Sequence, residues 1–146
     1  MLNGASTNSL DDKSRLIIPA KIRESLGGQF VLTRGLDRCL TAYTTEAWKK
    51  LEEKQEALDM FDPLAREFER HFFGHAELCT VDKMNRVVLP KGLRDFAKID
   101  KDIYIFATGN KVEIWDKQLY EEQHKEEPDD IDISSKFSAL GFGAKG

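Results

Sequence analysis

Short apolar runs alternate with short helical patterns along the chain, and their order predicts a small sheet-containing protein. The β-branched run "RLIIP", which begins at Arg15, predicts a strand. Pro19 suits the start of a helix, in which Ile22 and Leu26 share one face and which Gly27–Gly28 ends. The runs "FVLT" and "CLTAY", separated by the turn "RGLDR", predict a hairpin. We therefore expect the order strand, short helix, hairpin.

The same order returns 71 positions later. "RVVLP" predicts the strand, Leu93 and Ala97 mark one face of the helix, and "IYIFA", "TGN" and "KVEIW" predict the hairpin. The strand and its flanks, "DDKSRLIIPAKIR" at 11–23 and "DKMNRVVLPKGLR" at 82–94, align without a gap. Both copies hold an Asp, an Arg, a Pro and a second Arg, each four residues apart: Asp11, Arg15, Pro19 and Arg23, then Asp82, Arg86, Pro90 and Arg94. The chain is therefore an internal duplication.

Helical spacing of apolar residues follows each unit. Thr44 or Thr45 can cap a helix that carries Trp48, and Asp62 can cap a second one. The second helix has an apolar stripe of Leu64, Phe68 and Phe72. After the second unit, Asp116 can cap a helix that Pro128 ends. We expect a first repeat at 1–48, connecting helices at 49–73, a second repeat at 74–120, and the end of the last helix with a mobile acidic tail at 121–146.

Charge separates the two repeated segments from the rest of the chain. The net charge is −4, yet residues 10–38 carry +2 and residues 80–98 carry +3. Residues 44–78 and 99–146 carry −4 and −5. Because phosphate contacts require Lys and Arg, the repeated segments are the surfaces suited to nucleic acid.

Several other kinds of chemistry have little support in the sequence. No apolar run approaches membrane-spanning length and no secretory leader opens the chain, so we expect a cytoplasmic protein without a membrane partner. Cys39 and Cys79 are expected to be buried free thiols rather than a disulfide. We find no nucleophile and base pair and no nucleotide-binding fingerprint, and therefore expect neither an enzyme nor a cofactor.

One possible metal site comes from the spacing of His71, His75 and Cys79, which lie four residues apart. Two His on one helix face can bind zinc. Gly74 interrupts that helix, however, and no fourth ligand is evident, so a helix end leading into a strand is the better interpretation.

The repeated motif has chemistry suited to DNA. An Asp carboxylate accepts hydrogen bonds from backbone N–H groups of a turn. If the two units are related by a pseudo-twofold axis, their turns present Arg15 and Arg86 side by side, flanked by Lys13 and Lys83. A guanidinium can bind guanine O6 and N7 together, and lysines hold phosphates. The alternative is an Asp–Arg pair that only holds each turn to the sheet.

These two segments resemble the two D-x-x-x-R motifs of the MraZ family. The resemblance covers about residues 1–125 and includes Trp48. It implies a mainly β fold with flanking helices, in which two AbrB-like swapped-hairpin repeats in one chain form a pseudo-twofold barrel. It also implies a bacterial, nucleoid-associated transcriptional regulator that binds double-stranded DNA at repeated promoter boxes of the division and cell-wall gene cluster. The expected self-association is a ring-like homo-oligomer.

The residue before the motif Arg differs from the family pattern. The family usually has Gly at this position, whereas this chain has Ser14 and Asn85, so we expect a differently shaped turn, above all at Ser14.

An alternative function is an antitoxin-like protein-interaction module, whose acidic tail binds a basic partner protein.

Overall fold

The computed structural model describes residues 2–125 and 132–142, which form strands and short helices in the predicted order. The elements are β1 (Leu2–Ser9), β2 (Arg15–Ile17), α1 (Ala20–Leu26), β3 (Gln29–Arg34), β4 (Leu40–Thr44), α2 (Thr45–Gln55), α3 (Pro63–Phe72), β5 (Glu77–Thr80), β6 (Arg86–Val88), α4 (Lys91–Ala97), β7 (Asp102–Gly109), β8 (Lys111–Asp116), α5 (Lys117–His124) and α6 (Ile133–Lys136), with a 3₁₀ turn over Ser138–Leu140. No helix in these ranges is long and apolar enough to cross a membrane.

The two units exchange their first strands. Six strands form an antiparallel sheet in the order β1-β7-β8-β4-β3-β5. The first strand of the first unit, β1, pairs with β7 of the second unit, and β5 of the second unit pairs with β3 of the first. The hairpins β3–β4 and β7–β8 meet in the middle, where β4 pairs with β8. If each strand is replaced by its counterpart in the other unit, the same strand order results, read from the opposite edge. The sheet therefore has pseudo-twofold symmetry.

The remaining strands, β2 and β6, form a separate two-stranded antiparallel ribbon. Leu16 and Val87 are paired across it and both are buried. They join a single hydrophobic core with α1, α4 and one face of the sheet, to which both units contribute. Neither unit encloses this core alone, so the two units fold around one another.

A second apolar cluster lies on the other face of the sheet. Neighbouring residues of a strand point to opposite faces; Phe30 and Leu32 of β3 belong to the main core, whereas Val31 contacts Trp48 of α2 and Phe72 of α3. The two helices are also joined to one another, because the Gln55 side chain donates to the Glu69 carboxylate at 3.0 Å. Helices α2 and α3 therefore cover the side of the sheet opposite the ribbon.

The sheet is open, and the predicted pseudo-twofold barrel is not confirmed. Strands β1 and β5 are its two edges, and no pairing among the described strands joins them. The two hairpins form the middle of the sheet, with β7 and β3 as their outer strands. Because β1 pairs with β7 and β5 pairs with β3, β1 and β5 lie at opposite edges. The ribbon packs over the core as a second layer and does not link the edges by hydrogen bonds.

The predicted helix starts are confirmed. Thr44, Asp62 and Asp116 are N-caps, and their side chains accept from backbone N–H groups of the first turn. Helix α5, predicted after the second unit, ends at His124, before Pro128, which lies outside the described residues. The tail is described only at 132–142, where its short helical turns have mostly exposed side chains; its mobility remains a prediction.

Candidate nucleic-acid interface

The Asp of each motif organises a tight turn before the ribbon. The Asp11 Oδ1 atom accepts from the backbone N–H groups of Lys13 and Arg15, both at 2.9 Å. In the second unit, Asp82 Oδ1 accepts in the same way from Met84 and Arg86, at 2.8 and 2.9 Å. The turns therefore share one hydrogen-bond pattern.

Ser14 and Asn85 adopt the left-handed conformation for which glycine is usually required. Their φ angles are 58° and 63°, and their backbone N–H groups donate to the carbonyls of Asp11 and Asp82 at 3.0 Å. The two turns therefore resemble one another, because the Asp side chain satisfies the same N–H groups in both; the expected difference from the family's glycine turn stays a prediction. Each left-handed residue also reaches the other unit: Ser14 O accepts from Leu89, and Asn85 O accepts from Ile18.

The register of the ribbon brings the two motif arginines onto one surface. Arg15 lies opposite Val88, and Ile17 lies opposite Arg86. Since Leu16 and Val87 between them point into the core, these four residues point away from it. We call Arg15, Ile17, Arg86 and Val88 the outer face of the ribbon. The two arginines are diagonal neighbours on this face, at a spacing of roughly 7–8 Å in ordinary antiparallel geometry.

Each arginine is held at one nitrogen. Arg15 Nε donates to Asp11 Oδ2 at 2.7 Å, and Arg86 Nε donates to Asp82 Oδ2 at 2.9 Å. The Nη groups of both residues make no hydrogen bond within the described part of the chain. The Asp–Arg pair therefore does hold the turn, and it also orients a guanidinium whose terminal donors remain available.

The second half of the motif connects the ribbon to a helix. Pro19 and Pro90 are the N-cap residues of α1 and α4, with φ angles of −56° and −58°. Arg23 Nη1 donates to the Ile18 carbonyl at 3.0 Å, and Arg94 Nε donates to the Leu89 carbonyl at 2.8 Å. Because these arginines bind the backbone at the end of each ribbon strand, they position the ribbon.

Lys13 and Lys83 are exposed in the two turns, but they occupy different places. Counting from the Asp, Lys83 is the counterpart of Asp12, and Lys13 is the counterpart of Met84. Each lysine lies in the turn that precedes one strand of the ribbon. The first turn has a carboxylate where the second has a lysine.

Exposed apolar side chains complete this surface, and motif analysis missed them. Ile17 is 61% exposed, Val88 is 55% exposed and Met84 is 66% exposed. The alternation of a strand would have indicated Ile17 and Val88, because residues two apart share a face with the motif arginines. The surface thus combines two forked cations with aliphatic side chains.

The turn carboxylates should make the fold sensitive to acid. The backbone N–H of Arg15 lowers the pKa of Asp11, and that of Arg86 lowers the pKa of Asp82. A lowered native pKa stabilises the fold above the ordinary Asp pKa of about 4, and the contribution disappears as pH falls through the lowered value. We expect Asp11→Asn/Asp82→Asn to be less stable than wild type at pH 7 and to differ less at pH 2. Urea unfolding midpoints at both pH values test this, and an unchanged difference would contradict it.

The histidines and cysteines noted in the sequence contact other parts of the fold or are buried in it. His71 Nε2 is 2.8 Å from the Gly35 carbonyl, and His75 Nδ1 is 2.7 Å from the Arg70 carbonyl. Cys39 and Cys79 are buried free thiols, and burial raises their pKa to about 12 and about 11. Across the described ranges, no group of three or more His, Cys, Asp or Glu is arranged to hold a metal ion.

The fold and the ribbon define a class of protein: two tandem homologous units that complete one another, so that a single chain has the symmetry of a dimer. The family model described as "MraZ protein, putative antitoxin-like" matches the chain twice, at residues 1–71 and 72–138. The chain belongs to the MraZ family, as the paired motifs indicated.

Curated relatives agree over most of the chain. A protein of Caldanaerobacter subterraneus is 46% identical over 125 residues, which are 86% of this chain and 87% of the relative. One of Acetivibrio thermocellus is 42% identical over 143 residues, covering 97% and 100%. One of Desulfitobacterium hafniense is 43% identical over 143 residues, covering 98% and 99%. Each is named "Transcriptional regulator MraZ".

Proposed function

We propose that this chain is a sequence-specific transcriptional regulator, located at the nucleoid in the cytoplasm, that binds double-stranded DNA through the outer face of the ribbon. The relatives named as transcriptional regulators support the class of function. The single observation that supports the site is the pairing of Arg15 and Arg86 on one exposed surface, each with free terminal donors. Footprinting of the chain on the DNA upstream of division and cell-wall genes tests the proposal, and the absence of any protected repeat would overturn it.

The shape of the ribbon suits the major groove. That groove admits a two-stranded β-ribbon, and a guanidinium there can bind guanine O6 and N7 with two donors. The Asp contact orients each Arg15 or Arg86 side chain in advance, which reduces the loss of rotamer freedom on binding. The aliphatic side chains of Ile17 and Val88 are suited to contact with thymine methyl groups.

The turn lysines should contribute to affinity without reading sequence. Lys13→Ala and Lys83→Ala are each expected to weaken all duplexes about equally, because a lysine neutralises a phosphate rather than a base. Each should lower the slope of log affinity against log salt by ~1. Binding isotherms at several salt concentrations measure this slope. A slope unaffected by either substitution would show that the lysines point away from DNA.

We also propose that the chain acts as a ring-like homo-oligomer. The predicted stripe of α3 is only partly covered, since Phe72 is buried, Phe68 is half-buried and Leu64 is 70% exposed. Met60 and Phe61 just before α3 are 67% and 82% exposed. Met60, Phe61 and Leu64 together form what we call the helical patch. Such a group of neighbouring exposed apolar side chains is typical of an interaction surface.

Assembly should therefore depend on the helical patch. Light scattering at micromolar concentration is expected to give a mass larger than a dimer for the wild-type chain. Phe61→Ser/Leu64→Ser should lower that mass, because the apolar surface that another protomer would cover is lost. Glu67→Ser, on an exposed position of the same helix, is the control and should assemble normally. A monomeric wild-type chain would contradict the ring.

Assembly would supply affinity that one protomer lacks. A single ribbon offers two motif arginines and two turn lysines, and the chain around them is acidic. Several linked protomers can engage several promoter boxes, which raises overall affinity without any new contact. This is our reason for proposing repeated boxes as the target.

The finer architecture belongs to the same proposal. We take 1–48 and 74–120 as AbrB-like repeats, 49–73 as connecting helices, and 121–146 as the end of a helix with a mobile acidic tail. The exchange of β1 and β5 between units supports the swapped-hairpin description. Hydrogen exchange along the chain tests the tail boundary, because a mobile tail should exchange faster than the core that the two repeats share.

A further inference from the structure

The two turns of the motif are alike in geometry and unlike in charge. The hydrogen bonds from Asp11 and Asp82 to their turns correspond one to one. Position by position, Asp12 of the first turn therefore occupies the place of Lys83 in the second. Residues 11–15 have no net charge, whereas residues 82–86 carry +1. A pseudo-twofold surface thus has two chemically different ends.

Both side chains are available to a ligand. Asp12 and Lys83 are exposed, and neither makes a hydrogen bond or ion pair within the described residues. Asp11 and Asp82, by contrast, are occupied in holding their turns. Of the turn carboxylates, Asp12 is therefore the one that forms no ion pair in the described part of the chain.

We infer that Asp12 opposes DNA binding by the first turn and that the second turn is the stronger anchor. This inference rests on the proposed function. A carboxylate near phosphates weakens binding at one turn, whereas an ammonium at the corresponding place in the other turn strengthens it.

Charge variants at the two positions test the strengths of the two anchors. Asp12→Asn should tighten binding to the shortest duplex that the wild-type chain protects by about twofold, because one carboxylate repulsion across about 8 Å of water is removed. Asp12→Lys should tighten it by roughly five- to tenfold in low salt, and should steepen the salt dependence by ~1. Lys83→Asn should weaken it. Glu53→Gln, exposed on α2, makes the same change in net charge as Asp12→Asn and should have little effect.

The outcomes separate the inference from the function on which it rests. Tighter binding by Asp12→Asn together with weaker binding by Lys83→Asn would support the inference. Weaker or unchanged binding by Asp12→Asn would overturn it, and weaker binding would indicate that Asp12 accepts from a cytosine amino group. If the motif arginines prove necessary for DNA binding while Asp12→Asn does not tighten it, only the inference fails. A wild-type chain that protects no duplex removes both.

Discussion

Arg15→Ala/Arg86→Ala should abolish specific DNA binding while leaving the fold intact. A bidentate contact with a base contributes ~1–3 kcal/mol of discrimination, so the loss of two should reduce the affinity for the specific site by roughly 30-fold or more. Non-specific binding should fall less, because Lys13 and Lys83 remain. Binding to the protected duplex and to a scrambled duplex of equal length measures both effects.

The double variant Arg15→Ala/Arg86→Ala is expected to keep its fold. Asp11 and Asp82 keep their contacts with backbone N–H groups, and the Asp–Arg pairs are partly exposed, a setting in which an ion pair contributes ~0–1 kcal/mol. Circular dichroism and urea unfolding should therefore be close to wild type. Lys50→Ala, an exposed position on α2, is the control for loss of a cation. Unchanged DNA affinity in the double variant would mean that the arginines only hold the turns.

Phe72→Ala should produce the largest loss of stability. Its ring is 4% exposed and lies 5.0–5.9 Å, centroid to centroid, from the rings of Phe73, Phe68, Trp48 and Tyr43. Removing a buried Phe generally costs about 3–5 kcal/mol, because apolar burial is lost and a cavity remains. Urea unfolding at one fixed protein concentration measures the change, since the stability of an oligomer depends on concentration.

A control substitution in α3 tests whether the loss of stability comes from the aromatic cluster. Glu67→Ala on α3 is exposed and should change the free energy of unfolding by less than about 0.5 kcal/mol. The folded fraction of Phe72→Ala should also retain DNA contacts of the ribbon, because the aromatic cluster lies on the opposite face of the sheet. Similar losses for the two substitutions would show that the cluster does not hold α3 in place.

Local signals in the sequence predicted the helices and hairpins well. Capping depends on a side chain and the N–H groups of the next turn, so Thr44, Asp62 and Asp116 could be identified from neighbours alone. Ile22 and Leu93, predicted on the apolar faces of α1 and α4, are buried in the core. The duplication was visible because its spacing is constant from the turn to the helix.

Long-range pairing could not be predicted in the same way. The segment of β1 is rich in Ser, Asn and Gly, which are poor strand formers, and it becomes a strand by pairing with β7 about 100 residues later. The family resemblance implied a barrel, whereas the exchanged strands lie at opposite edges of an open sheet. The apolar side chains of the ribbon's outer face depend on the register between β2 and β6, which lie in different units.

The central claim is that DNA contacts the outer face of the ribbon and its two turns. Amide hydrogen exchange, followed by mass spectrometry with and without the protected duplex, tests it most directly. We predict that DNA slows exchange in 11–18 and in 82–89 together, and leaves α2 and α3 at 45–72 unchanged. Protection confined to 45–72, or binding without protection of either motif segment, would contradict the account.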